Sequence, residues 1–75
     1  MELGSICPGV RFQIVHIPDG QFKERLCQFG MVEGTVVGCR YARRTIVALE
    51  WKGTAVAIRR KDLRGIESRV VPWES

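Results

Sequence analysis

A mainly-β fold is what this sequence predicts: about five short strands curled into a small barrel, with one short α-helix plugging an open end. Three observations predict it. Apolar and polar residues alternate through "TVVGCRYA" (35–42), "TIVALEW" (45–51) and "TAVAIR" (54–59), the period of strands with one buried face. Turn residues punctuate these runs, with Pro18-Asp19-Gly20 stopping the first and Lys52-Gly53 giving a two-residue hairpin signal. The single helical pattern, 21–29, is shorter than the roughly 12–15 residues an isolated helix needs in water, so it must lie on something apolar. Short one-sided strands of this kind close up because closure removes exposed edges.

Each element follows in order. "VRFQIVHI" (10–17) reads as a strand with Phe12 and Ile14 on one face. Ile17 breaks that parity, which predicts a bulge near Val15–His16. Asp19 is the expected N-cap of the helix, and Phe22, Leu26 and Phe29 fall at i, i+4 and i+7 on its apolar face. Gly30 sits where a left-handed residue ends a helix, and Gly34 relieves a second corner. The following strands should bury Val37, Cys39 and Tyr41, then Val47, Leu49 and Trp51, then Val56 and Ile58. "RKDLRG" (60–65) reads as a polar turn, with a single helical turn pinned by Leu63, and 66–71 as a last strand.

Composition narrows the function. A chain of 75 residues is expected to be one domain, 1–75, with too little material for both a core and a deep catalytic cleft. It is 45% hydrophobic and 27% charged, an ordinary globular balance. Twelve basic against eight acidic residues leave a formal charge of +4, which admits an acidic partner. Cys7, Cys27 and Cys39 are widely spaced without a C-x-x-C pair, and His16 is the only histidine, so neither a disulfide framework nor a four-ligand zinc site is expected. No signal-peptide pattern follows Met1, and no apolar run reaches the ~18 residues of a membrane span. The expected setting is the cytoplasm, with reduced thiols that mostly pack as small hydrophobes.

At "RLCQFGMVEGTVV" (25–37) the pattern resembles the Arg-Leu-x-x-Leu-Gly-Leu-x-Pro-Gly-x-x-Val signature of the FeoA family. Arg25, Leu26, Gly30, Gly34 and Val37 match in place. Phe29 and Met31 are conservative replacements, and Glu33 stands where proline is usual. Downstream, Val47, Leu49, Gly53, Ala57, Ile58, Arg59 and Ile66 fit the family's second half, and Gly9, Ile14 and Ile17 its opening strand. Further departures are Leu63 for alanine, Ser68 for an apolar residue, and a short corner at 42–44. The resemblance implies an SH3-like barrel. It also implies a small accessory protein of bacterial ferrous-iron uptake, whose partner is FeoB, a membrane transporter with a cytosolic GTP-binding domain. Contact with the membrane would then be indirect, through that transporter.

The residues themselves point to docking rather than chemistry. There is no Ser-His-Asp arrangement, paired-carboxylate motif or phosphate loop, so no enzyme, resident metal or cofactor is expected. His16 is expected to be a half-exposed strand residue. Arg25 should lay its stem on the barrel and tie the helix to a neighbouring turn, with partner contact as the competing role. Ile46 and Trp73 are apolar groups with no evident core role, and such groups beside arginines mark a docking surface. The expected contact residues are Phe22 and Arg25 on the helix side, Arg43, Arg44 and Ile46 at the hairpin, and Trp73 in the tail. A barrel binding RNA or single-stranded DNA is the alternative, and it wants exposed aromatics among the basic residues. Phe12, Phe22, Phe29, Tyr41 and Trp51 all fall on expected core faces, which argues against it. A related barrel ends DtxR-type metal-dependent repressors, but this chain starts at Met1 without DNA-binding helices, so a free-standing protein is expected.

Overall fold

The protein is described here by a computed structural model, which defines residue 3 and residues 6–72. Strand β1 (Arg11–His16) leads into helix α1 (Gln21–Gln28), followed by β2 (Val36–Ala42), β3 (Ile46–Trp51) and β4 (Thr54–Arg59). A 3-10 turn (Arg60–Leu63) then connects to β5 (Glu67–Val71). The strands form one antiparallel sheet in the order β4-β3-β2-β1-β5, so the 3-10 turn spans directly between its two outer strands. The mainly-β architecture expected from the alternation is therefore the one observed.

The inward faces of the strands meet in one core, in which Phe12, Ile14, Val37, Val47 and Leu49 are essentially inaccessible to water. Two bulges set which residues reach it. On β1, Ile14 pairs with Ser68 and His16 with Glu67, leaving Val15 as the extra residue. This is the predicted bulge, and it turns both Ile14 and Ile17 inward. On β2, Cys39 pairs with Leu49 but Tyr41 with Ala48, so Arg40 is extra and the parity flips. Tyr41, expected inside, consequently faces solvent, and Ala42 opposite Val47 packs on the core in its place.

Helix α1 departs from expectation at both ends. Its N-cap is Gly20, not Asp19, and no side chain caps it. Gly20 has φ 147° and ψ −179°, a region open essentially only to glycine, so the chain enters the helix one residue later than the Asp19 cap would require. Asp19 instead accepts from Lys23 Nζ at 3.3 Å. At the other end Phe29 is 54% exposed rather than buried. Gly30 adopts φ 87°, its N–H donates to the Cys27 carbonyl (2.9 Å), and the Met31 N–H reaches back to Leu26 O (2.9 Å). These two bonds form a Schellman turn. The turn carries Met31 into the core after Leu26, the position a continued helix would have assigned to Phe29.

Leu26 is thus the one fully buried side chain of α1, with Phe22 half-buried against the core. Gly30 turns the chain out of the helix, and residues 31–35 then carry it through a second turn, with Gly34 at φ 95°, to the start of β2. The β3–β4 hairpin turns as its Lys52-Gly53 signal predicts, with both residues at positive φ (47° and 78°) as a type I′ turn requires.

Candidate functional site

Two grooves flank Arg59, and together they gather most of the residues expected to dock a partner. The first lies between α1 and β4 and has a volume of about 350 Å³. Phe22, Leu26, Phe29 and Trp51 give it apolar walls, and Arg25 and Arg59 stand among them. The second, of about 380 Å³, lies between the 42–46 hairpin and the 3-10 turn, with Arg44, Ile46, Lys61 and Arg64 among its lining. A third cleft, of about 460 Å³, shares Phe22, Arg25 and Arg59 with the first groove and Arg59, Lys61 and Arg64 with the second, and has Asp19 and Asp62 in its lining. The chain brings these residues together because β3 and β4 pair Ile46 directly with Arg59, and the 3-10 turn starts at the next residue.

Of the expected site residues, Phe22 and Arg25 therefore line the apolar groove, and Arg44 and Ile46 the basic one. Arg25 is exposed and makes no hydrogen bond or ion pair among the described residues, so it does not tie the helix to a turn as expected. Arg43 lines neither groove. Its guanidinium lies 5.0 Å from the Tyr41 ring centroid, and its carbonyl accepts from Arg60 Nε at 2.8 Å. Trp73 lies outside the described residues. Lys61 and Arg64 read in the sequence as charges of an exposed polar turn, and not as expected contact residues. Their place beside Ile46 depends on the turn folding back on the hairpin.

Aromatic residues give a second correction. Phe29 and Tyr41 are exposed, although helical spacing and alternation assigned both to the core. Neither lies in the basic groove, where the cations surround an aliphatic side chain instead.

A polar cluster on the other side of α1 was not anticipated. Glu33 Oε2 accepts from the Ile17 N–H at 3.0 Å and lies 3.1 Å from His16 Nδ1 and 3.9 Å from Lys23 Nζ. It links the end of β1, the helix and the 31–35 corner, where the family signature has proline. One carboxylate thereby supplies through space a restraint that a proline ring supplies covalently. The Ile17 amide is the main cause holding the Glu33 carboxyl below its ordinary 4.5, helped by the charges of Lys23 and His16. A lowered folded value means the charged form stabilises the fold. That contribution is complete above the unfolded value and is lost as pH falls below 4.5 through the folded one. Glu33→Gln should accordingly flatten the acid limb of stability, narrowing the gap to wild type between pH 7 and pH 3 in urea melts. An equal gap at both ends would mean that the carboxylate's charge contributes nothing.

His16 is exposed on its strand, as expected. Of the thiols expected to pack as small hydrophobes, Cys39 alone is buried, its Sγ donating to Tyr41 O at 3.3 Å, whereas Cys7 and Cys27 are exposed. Burial pushes the Cys39 thiol above its ordinary 9.0. Among the described residues, no three His, Cys, Asp or Glu side chains are grouped to hold a metal ion, and no helix is long and apolar enough to cross a membrane.

Comparison with known proteins agrees with this architecture. A crystal structure of an iron uptake regulatory protein (FeoA) superposes with a TM-score of 0.84 at 18% identity, covering 95% of this chain and 97% of that one. The solution structure of iron(II) transport protein A from Clostridium thermocellum gives 0.85 at 23% identity, covering 95% of this chain and 46% of that one. At such identities the likeness speaks for the fold, the SH3-like barrel expected of the sequence. No curated protein matches the chain. The family model for the FeoA domain matches residues 1–70, so this chain belongs to the FeoA family.

Proposed function

We propose that this chain is a non-enzymatic accessory protein of ferrous-iron transport. In this reading it acts in the cytoplasm as one FeoA-like unit, 1–75, and docks onto the cytosolic GTP-binding domain of a FeoB-type transporter, altering that transporter's activity or assembly. Membership of the FeoA family supports the transport setting. The observation that carries docking is the pair of grooves that meet at Arg59, each with apolar side chains in its walls and arginines beside them. Apolar centres with an Arg-rich rim are what reversible protein contacts use. A surface of this size suits a contact burying roughly 1,200 Å² or less in total, the range of transient complexes.

An amide-shift NMR titration of the labelled chain with the isolated GTP-binding domain tests this. Saturable shifts are expected along α1, at 43–46 and at 59–64. Arg25→Glu and Arg44→Glu should each weaken binding about tenfold, a loss of about 1.4 kcal/mol. No shifts at several times the concentration expected for a transient complex would overturn docking to that domain. Steeply salt-dependent shifts with single-stranded RNA instead would replace it with nucleic-acid binding.

A further inference from the structure

The groove beside the hairpin has a chemistry more specific than docking in general. We infer that it receives a short acidic peptide segment in which carboxylates flank one aliphatic side chain. The inference rests on the docking reading for its setting and specifies what the partner must bring.

Five of the seven residues lining this groove are cations, and none is acidic. Arg59 is partly neutralised by Asp62, whose Oδ2 lies 3.1 Å from its Nε. Arg44, Lys61 and Arg64 make no hydrogen bond or ion pair among the described residues, so their charge is directed to whatever enters. Between them sits Ile46, 36% exposed at the start of β3. A bare phosphate would use the cations and leave Ile46 idle. A single-stranded nucleic acid wants aromatic faces for its bases, and no aromatic side chain lines this groove. Carboxylates at intervals around an aliphatic anchor use both features, and guanidinium groups pair with carboxylates bidentately.

The groove is also built before any partner arrives. The Arg60 N–H donates to Thr45 O at 2.8 Å, and Arg60 Nε donates to Arg43 O at 2.8 Å. These bonds fasten the 3-10 turn to the hairpin corner, and Leu63 anchors the same turn in the core. A fixed groove loses little conformational entropy on binding, which favours a short segment. Its volume of about 380 Å³ lies near the lower end of ligand sites and suits a few side chains.

The test uses the full chain and the blocked peptide Glu-Glu-Leu-Glu-Glu, read by NMR shifts and calorimetry. Saturable shifts are expected at Ile46, Lys61 and Arg64. Replacing the peptide's four glutamates by glutamines should weaken binding about tenfold or more, and replacing its leucine by serine about threefold. On the protein side, Lys61→Glu with Arg64→Glu should weaken the acidic peptide about tenfold or more. Lys52→Glu, a charge reversal at the opposite end of the β3–β4 hairpin, should change it by less than about twofold beyond the effect of net charge. The inference fails if the glutamine peptide binds equally well, if Lys52→Glu is as damaging, if the shifts lie elsewhere, or if oligouridylate or inorganic phosphate competes better than the peptide. Peptide binding without docking of the GTP-binding domain would remove only the choice of partner. Docking of the domain without peptide binding would remove only this inference.

Discussion

Leu26→Ala is expected to cost about 2–5 kcal/mol, the range for emptying a large aliphatic side chain from a packed core. Leu26 is 2% exposed, is the one fully buried side chain of α1, and supplies the carbonyl that closes the Schellman turn. An eight-residue helix has no independent stability, so what Leu26 loses is not recovered elsewhere in it. A chain of this length has about 4–11 kcal/mol in total, at roughly 0.05–0.15 kcal/mol per residue. The substitution therefore removes a large fraction of the folded protein's stability. Phe29→Ala, one helical turn further on, should cost less than about 1 kcal/mol because that ring is already exposed. Urea melts of the two variants decide the matter. Equal losses would mean that Phe29 packs on the barrel as its spacing implies, and that the chain does not leave the helix at Gly30.

A comparable loss, about 2–5 kcal/mol, is expected of Leu63→Ala. Leu63 is fully buried and is the anchor of the 3-10 turn. Here the consequence reaches the surface, because Arg60, Lys61 and Arg64 ride on that turn and line the basic groove. Stability and binding should fall together in this variant, whereas Leu26→Ala at temperatures where it is folded should spare the basic groove. Backbone amide exchange separates the two cases. Fast exchange at 60–66 with slow exchange in β1–β3 would mark a locally loosened turn. A Leu63→Ala variant with unchanged melting would show that the two Arg60 bonds to the hairpin hold the turn by themselves.

Much of the molecule was legible in the residues. Period-two alternation located the β-strands, because a strand with one face on a core must bury every second residue. Ile17 betrayed the β1 bulge because it was apolar at the wrong parity, and Leu63 betrayed the 3-10 turn as a lone apolar group in a polar run. The β2 bulge left no such trace. Arg40, Tyr41 and Ala42 read equally well in either parity until the partner strand fixes one, so Tyr41 was assigned to the core. Phe29 failed for a related reason, since helical spacing holds only while the helix continues, and Gly30 ends it just after that ring.

The candidate surface divides in the same way. Arg25, Arg44 and Ile46 were recognisable one by one as cationic or apolar groups without a core role, and Phe22 as the outermost residue of the helix's apolar face. That Arg44 and Ile46 share a groove with Lys61 and Arg64 was not, because segments 15 or more residues apart meet only through the β3–β4 pairing and the bonds of Arg60. Glu33 shows the same limit, with the amide it holds 16 positions away. By itself, then, the sequence determined the elements, most of the core and the family, since these follow from local periodicity and from turn residues acting on their neighbours. Only the tertiary structure decided the parity of β2, the latch at Glu33 and the composition of the basic groove. Each of these is a contact between distant segments, and hydrogen-bond register sets it rather than any property of the residues taken in order.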